Sequence, residues 1–268
     1  MDFLSRYGPW ALVTGASSGL GEQFAHALAR RGMNLALTAR REDRLQRLAA
    51  DLRHGRRIET RVLAQDLAQP DAAAQLARNL GGLDLGLVVN NAGFGWQGSF
   101  LEQAPEQISQ MVRLNCEAPA LLARMLLPRM AARGHGGMVM VASTAAFQGV
   151  PGMSVYGATK GFDLLLGEAL AQELRRAGIS VITVSPGHTA TEFHAAAGVP
   201  GSVAGKPAQP EDVVKETLER LGRSQSFVHG RLNRFLIFAQ RLASRRLTVA
   251  VTGRLIRSRM RPLPEAKG

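Results

Sequence analysis

Short apolar runs rich in β-branched residues recur along this chain. Each is followed by a longer segment whose apolar residues share one helical face. That alternation is the mark of repeated βαβ units, which bury their strands in a parallel sheet with helices on both faces. It predicts strands at 11–14, 34–38, 58–63, 85–90, 138–143 and 179–185. Helices are expected over 19–31, through Leu20, Phe24, Ala27 and Leu28, and over 41–52, through Leu45, Leu48 and Leu52. Pro105 suits the first turn of another, and Pro119 and Pro128 mark kinks or boundaries in the segment ending near Arg133.

Composition narrows the class. A chain of 268 residues with 46% hydrophobic and 20% charged residues buries a sizeable core and is too apolar to stay disordered. One domain over 1–268 is the expectation. The single cysteine, Cys116, forms no internal disulfide and supplies no cysteine-based zinc cage, and no metal site is expected. The first residues lack the apolar stretch of a signal peptide, and the charge-free window 134–159 is interrupted by Gly, Pro, Ser and Thr. A cytoplasmic protein is expected, with contact at the inner membrane face left open by the charge pattern.

That pattern is uneven. The formal net charge is +12, yet twelve basic residues and one acid, Glu265, lie between Arg220 and Gly268, so the preceding 219 residues are close to neutral. Leu232, Phe235, Leu236, Phe238, Leu242, Leu247, Val251 and Leu255 alternate with these arginines. Residues 211–268 are expected to be a basic helical extension. Its helices are expected to pack on the sheet domain or on a second copy, in a homodimer or homotetramer; the alternative is that they lie on an anionic membrane. Nucleic acid is not expected as a partner, since no fold for binding it accompanies the charge. The Ala-, Gly- and Pro-rich stretch before it makes 193–210 the expected substrate lid or loop.

The four longest charge-free windows, 7–21, 85–101, 134–159 and 177–191, each hold a proposed strand and the loop after it. Ligands bind beyond the carboxyl ends of the strands in such sheets, so these loops should converge on one site. The first strand runs into Thr14-Gly15-Ala16-Ser17-Ser18-Gly19-Leu20-Gly21 and then a helix. Glycines there let a cofactor pyrophosphate approach the backbone and sit on the positive end of the helix. The spacing is Gly-x-x-x-Gly-x-Gly, distinct from the commoner dinucleotide fingerprint.

This loop resembles that of the short-chain dehydrogenase/reductases, and further matches to that family follow in chain order. Asn90-Asn91-Ala92-Gly93 ends the fourth strand, and Asn115 lies in the next helical segment. Ser143 ends the fifth strand, Tyr156-Gly157-Ala158-Thr159-Lys160 begins thirteen residues later, and Pro186-Gly187 with Thr189 and Thr191 follows the sixth. The resemblance spans roughly 11–193. It implies a single doubly wound, Rossmann-type α/β parallel sheet of about seven strands with helices on both faces, plus C-terminal helices covering the pocket. It also implies hydride transfer to or from a nicotinamide. The cofactor-binding positions it carries over are Gly15, Ser17, Ser18, Gly19, Leu20, Gly21, Asp66, Leu67, Asn91, Ala92, Gly93, Tyr156, Lys160, Pro186, Gly187, Thr189 and Thr191.

Four residues are expected to be catalytic: Asn115, Ser143, Tyr156 and Lys160. A spacing of four places Tyr156 and Lys160 on one face of a helix, one turn apart. A cation that close favours phenolate and lowers the phenol's pKa of ~10 by about one to three units. Tyr156 would then give a proton to a carbonyl oxygen in reduction, or remove one from an alcohol in oxidation. Ser143 can hydrogen-bond the same oxygen as charge develops on it. By the resemblance, Asn115 holds a helical distortion and a water that links Lys160 to solvent.

Cofactor preference is legible after the second strand. An acid there would accept hydrogen bonds from the ribose hydroxyls of NAD, whereas a 2′-phosphate calls for positive charge. Arg40 stands there, twenty-five residues after Gly15, with Arg41 as a weaker second clamp, so NADP(H) is favoured over NAD(H). Phe94, Trp96, Phe147, Val150 and Met153 are candidates for an apolar substrate pocket, and His188 and His194 flank the Pro186-Gly187 loop near the site. The expected function is an NADP(H)-dependent oxidoreductase interconverting a carbonyl and a secondary alcohol on a small, apolar substrate. The alternative is a catalytically weak NADP(H)-binding redox sensor or scaffold.

Overall fold

The computed structural model describes residues 2–193, 197 and 206–257. After a short helix α1 (Phe3–Tyr7), strands and helices alternate: β1 (Trp10–Thr14), α2 (Gly19–Ala29), β2 (Asn34–Ala39), α3 (Glu42–Arg53), β3 (Thr60–Ala64), α4 (Ala72–Asn79) and β4 (Leu85–Asn90). The second half continues with α5 (Pro105–Val112), a π-helical turn (Arg113–Glu117), α6 (Ala118–Ala132), β5 (Gly136–Val141), α7 (Ser154–Glu173) and β6 (Ile179–Ser185). The chain ends with α8 (Pro210–Arg220), β7 (Ser226–Val228), α9 (Arg231–Gln240) and α10 (Arg245–Arg257).

The seven strands form one parallel sheet in the order β3-β2-β1-β4-β5-β6-β7. Strand order reverses between β1 and β4, the place where a crevice opens in a doubly wound sheet. All residues of β4, β5 and β6 are buried. Alternate side chains feed two cores: Ala11, Val13, Leu35, Leu37 and Val89 face α2, α3 and α8, while Leu12, Ala36, Val88, Met138 and Val181 face α4, α6 and α7. Continuous apolar runs, rather than a polar-apolar alternation, are what burial on both faces demands.

The expected single sheet with flanking helices is borne out, and six of its strands lie within two residues of their predicted bounds. Pro119 falls where the π-helical turn passes into α6, whereas Pro128 sits inside α6 without ending it. The seventh strand had no sequence signal: Ser226–Val228 is three residues long and only Val228 is buried. It also interrupts what was expected to be a purely helical extension after 211. Most of the expected lid, 193–210, lies outside the described residues, although Thr189 bridges to Ala208 at its far end. Among the described residues no helix is long and apolar enough to cross a membrane.

Candidate active site

The turn after β1 is shaped by glycine. Gly15 and Gly19 have φ of 66° and 59°, the left-handed region that other residues enter at a cost. Gly21 is needed for a different reason: a Cβ there would lie 2.2 Å from the Gly15 carbonyl oxygen and 2.6 Å from Asn91 Nδ2. Asn91 Nδ2 donates to the carbonyls of Thr14 (2.9 Å) and Gly15 (3.3 Å), and Thr14 Oγ1 accepts the N–H groups of Asn91 (3.0 Å) and Ala92 (2.9 Å). The loops after β1 and β4 are thereby locked together. Ser18, at the N-cap of α2, makes no side-chain capping bond, so the first N–H groups of that helix face the cleft.

Arg41 caps this turn from outside. Its Nη2 donates to Ser17 Oγ (3.1 Å) and Ser18 Oγ (2.9 Å), and Nη1 pairs with Glu192 at 3.2 Å. Arg44 also pairs with Glu192 at 2.9 Å, and the two guanidiniums, Arg44 foremost, hold that exposed carboxyl below the usual carboxylate range. Arg40 is exposed at the rim of the same cleft. Both basic residues expected after β2 therefore border the cavity, Arg41 held against the glycine turn and Arg40 open to solvent. Arg41 ends β2's outgoing loop at the N-cap of α3, from which its side chain crosses the glycine turn.

Tyr156 and Lys160 lie one turn apart on α7, 7% and 5% exposed. Lys160 Nζ donates to the Val141 carbonyl (2.8 Å) and to Asp163 Oδ2 (2.9 Å). Ser143 caps the short turn after β5, accepting from Ala145 N at 3.1 Å, and its hydroxyl stands beside the Tyr156 phenol. Asn115 sits buried in the π-helical turn. Its Oδ1 accepts from Phe94 N (3.1 Å), and its Nδ2 donates to Phe94 O (2.9 Å) and Thr159 Oγ1 (3.0 Å). These bonds fasten the loop after β4 to α7. A link from the Asn115 side chain to Lys160 is not among them.

The phenol does not follow the expectation set by its lysine. Burial pushes the Tyr156 pKa above its ordinary value; Lys160 and the Ser143 hydroxyl pull the other way, and Asp163 works against the lysine. Burial is the largest influence on Lys160 and opposes its charge, but Asp163, Tyr156 and Cys116 together outweigh it and hold the ammonium's pKa above the usual lysine value; burial in turn raises the Asp163 carboxyl against the pull of Lys160. Cys116, half-buried beside this group, has its thiol pushed up to about 11 by burial, which suits a packing residue and not a nucleophile.

These elements enclose a cavity of about 570 Å³. Every position carried over from the sequence lines it except Gly21 and Asn115, which stand behind its wall. Asp66 holds its turn through Ala68 N and Gln69 Nε2, and Leu67 lies beside it. The loop after β6 closes on the glycine turn: Thr191 carbons would lie 3.1 Å and 3.2 Å from a Cβ at Gly19. Phe94, Val150 and Met153 line the cavity as expected, and His188 lines it too, but Trp96 and Phe147 do not. Trp96 folds over Gly98 in its own loop. His194 lies outside the described residues.

Sequence reasoning missed Asp163, Thr252 and Ile256, and held Phe193 only as the first residue of the expected lid. The Phe193 ring packs against Tyr156 at 5.3 Å between centroids, tilted by 44°, and Thr252 and Ile256 bring α10 to the cavity wall. Among the described residues no cluster of His, Cys, Asp and Glu could hold a metal ion. A glycine cradle that any side chain would fill, a helix N-terminus and two arginines suit the pyrophosphate of a dinucleotide.

The short chain dehydrogenase family model matches residues 9–199. The human very-long-chain 3-oxoacyl-CoA reductase is 30% identical over 87% of this chain and 73% of its own. The 7β-hydroxysteroid dehydrogenase of Clostridium sardiniense is 30% identical over 87% of this chain and 90% of its own. Among solved structures, a 7β-hydroxysteroid dehydrogenase superposes with a TM-score of 0.87 at 29% identity, over 94% of this chain and all of the other. A short-chain dehydrogenase from Sphingobium yanoikuyae in complex with NADPH gives 0.78 at 33% identity, over 97% and 99% of the two chains. The glycine turn, the Asn-Asn-Ala-Gly loop and the Ser143, Tyr156 and Lys160 cluster stand together in a chain so matched, and the protein is an oxidoreductase of the short-chain dehydrogenase/reductase family.

Proposed function

We propose that the protein is an NADP(H)-dependent reductase of apolar ketones, running in reverse as a secondary-alcohol dehydrogenase. The observation that carries this is the meeting of Tyr156, Ser143 and Lys160 in the same cavity as the glycine turn. Gly15 to Gly21, Asn91, Ala92, Gly93, Asp66 and Leu67 would hold the dinucleotide, with Arg41 and Arg40 toward a 2′-phosphate. When bound, the nicotinamide supplies hydride to the carbonyl carbon. Tyr156 donates its proton to the carbonyl oxygen while Ser143 hydrogen-bonds that oxygen as its charge grows. Lys160 keeps a positive charge beside the phenol, and Asn115 fixes the loop that carries Phe94. Phe94, Val150, Phe193 and Ile256 give the substrate end an apolar wall. That the relatives are named for 3-oxoacyl-CoA and hydroxysteroid chemistry supports an apolar carbonyl compound as substrate.

The outer face of α9 and α10 is assigned to an anionic lipid surface, supported by its exposed arginines and apolar side chains. Self-association into a homodimer or homotetramer would then use another face. Purified protein assayed against steroid ketones, 3-oxoacyl thioesters and simple aryl ketones, with NADPH and NADH in parallel, tests the catalytic reading. Turnover is expected with NADPH, Tyr156→Phe should reduce it at least about a thousandfold with NADPH binding retained, and Arg41→Ala should weaken NADPH binding about tenfold or more while sparing NADH. A Tyr156→Phe variant at the wild-type rate ends the assignment. Tight NADPH binding with no turnover on any carbonyl would instead favour the sensor or scaffold.

A further inference from the structure

Among the described residues Asp163 is the one buried carboxylate in contact with the proton-transfer cluster, and the mechanism above makes no use of it. It lies on α7 three residues beyond Lys160, 4% exposed, with Oδ2 at 2.9 Å from Lys160 Nζ. Its other oxygen, Oδ1, is buried and takes no hydrogen bond from any described protein group. That oxygen belongs to a residue bordering a small cavity among Thr14, Asn90, Leu114 and Leu122, none of them charged. The titratable groups facing Asp163 are Lys160 and Tyr156 from α7 itself and Cys116 from the π-helical turn; β5 contributes only the Val141 carbonyl to the shared ammonium.

A half-satisfied buried ion pair is a poor device for stability, because the desolvation of both charges consumes most of their attraction. Its effect on a third group is larger. A lone ammonium beside a phenol favours phenolate, but an ammonium with a carboxylate at 2.9 Å acts as a dipole whose field at the phenol is weak. Lys160 has three N–H donors, and Val141 and Asp163 take two of them, so its head is also held in place. We propose that Asp163 is a positioning residue that neutralises Lys160 and so keeps Tyr156 in the proton-donating form that carbonyl reduction requires. The proposal rests on the catalytic reading above for its purpose, but its physical content, the control of the Tyr156 proton, stands apart from any substrate.

The chain has two tyrosines, Tyr7 and Tyr156, and Tyr7 bonds Ser180 on the far side of the sheet from α7's cluster. In a Tyr7→Phe background the phenolate absorbance therefore reports Tyr156 alone, without substrate or cofactor. Asp163→Asn is expected to raise the phenolate fraction at a fixed alkaline pH about tenfold, a shift of roughly one unit. The acid limb of alcohol oxidation with saturating NADP should move down by a similar amount, and Asp163→Glu should restore both. Should Asp163→Asn fail to fold, Asp163→Ser removes the same charge in a smaller side chain, and the same phenolate gain is expected. An unchanged or smaller phenolate fraction in a folded charge-removing variant overturns the proposal, even if the enzyme turns over. A gain in phenolate in a protein that reduces no carbonyl leaves Asp163's role standing and removes the catalytic reading instead.

Discussion

Tyr156 is pulled in two directions, and its burial at 7% exposure decides the outcome in favour of the neutral phenol. A raised pKa means that the proton is present through the whole neutral range and leaves only at high pH. The sign of the pH dependence follows. Reduction, which needs the protonated phenol, should be flat from about pH 6 to pH 9, while oxidation, which needs the phenolate, should climb about tenfold per unit over the same range. Initial rates in both directions at saturating cofactor check this. An oxidation rate that levels off near pH 7 would show that Lys160 wins over burial. Tyr156, Lys160 and Ser143 were legible in the sequence because their spacing and order are fixed by one helix and one strand end. Asp163 was not: a carboxylate three residues from a lysine reads as an ordinary exposed helix pair until packing buries both.

At the level of elements, the alternation of apolar runs with one-sided helices carried six strands, because a strand buried on both faces needs a continuous run of apolar residues. β7 escaped for the complementary reason, since an edge strand of three residues with one buried side chain has no pattern to display. The π-helical turn was foreseen only through resemblance, and what maintains it is Asn115 spending its whole amide on Phe94 and Thr159. The β1-to-α2 turn makes a sharper claim. A methyl group at Gly21 would meet backbone, the Gly15 carbonyl at 2.2 Å, and backbone locked by Asn91 cannot yield cheaply. Gly21→Ala should therefore cost about 1–3 kcal/mol in urea denaturation and weaken NADPH binding together. Gly55→Ala is the control: its φ of 68° carries a strain penalty, but a Cβ there meets nothing within 4 Å and the turn lies away from the cavity, so stability falls with NADPH binding unchanged. Unaltered binding in Gly21→Ala would detach the glycine turn from the cofactor.

Across the whole molecule, charge is separated from chemistry. The catalytic sheet is nearly neutral, whereas residues 231–257 contain seven arginines and no acid. Six of these arginines, from Arg231 to Arg254, are exposed. Between them Leu232, Phe235, Phe238, Leu242 and Leu255 are 59–80% exposed, far more apolar surface than a free face of a monomer usually shows. The inner face of the same segment does pack: Ile237 is buried, Asn233 abuts Gly187, and Thr252 and Ile256 line the cavity. A second copy is a poor cover for the outer face, because a two-fold contact sets each arginine-rich patch against itself with no acid to pair. An anionic bilayer offers both the opposite charge and the apolar layer, and it would hold an apolar carbonyl substrate next to α10. The full chain should co-sediment with vesicles containing phosphatidylglycerol and not with phosphatidylcholine alone, and raised salt should release it. Joint Arg245→Glu and Arg246→Glu substitution should abolish that binding while leaving turnover of a soluble ketone intact, since neither residue lines the cavity. Deleting the segment is no substitute, because the cavity wall would go with it. If the double variant still binds vesicles, or if sedimentation equilibrium gives a dimer that Leu236→Ser and Phe238→Ser dissolve, the face belongs to a second copy and the lipid assignment falls.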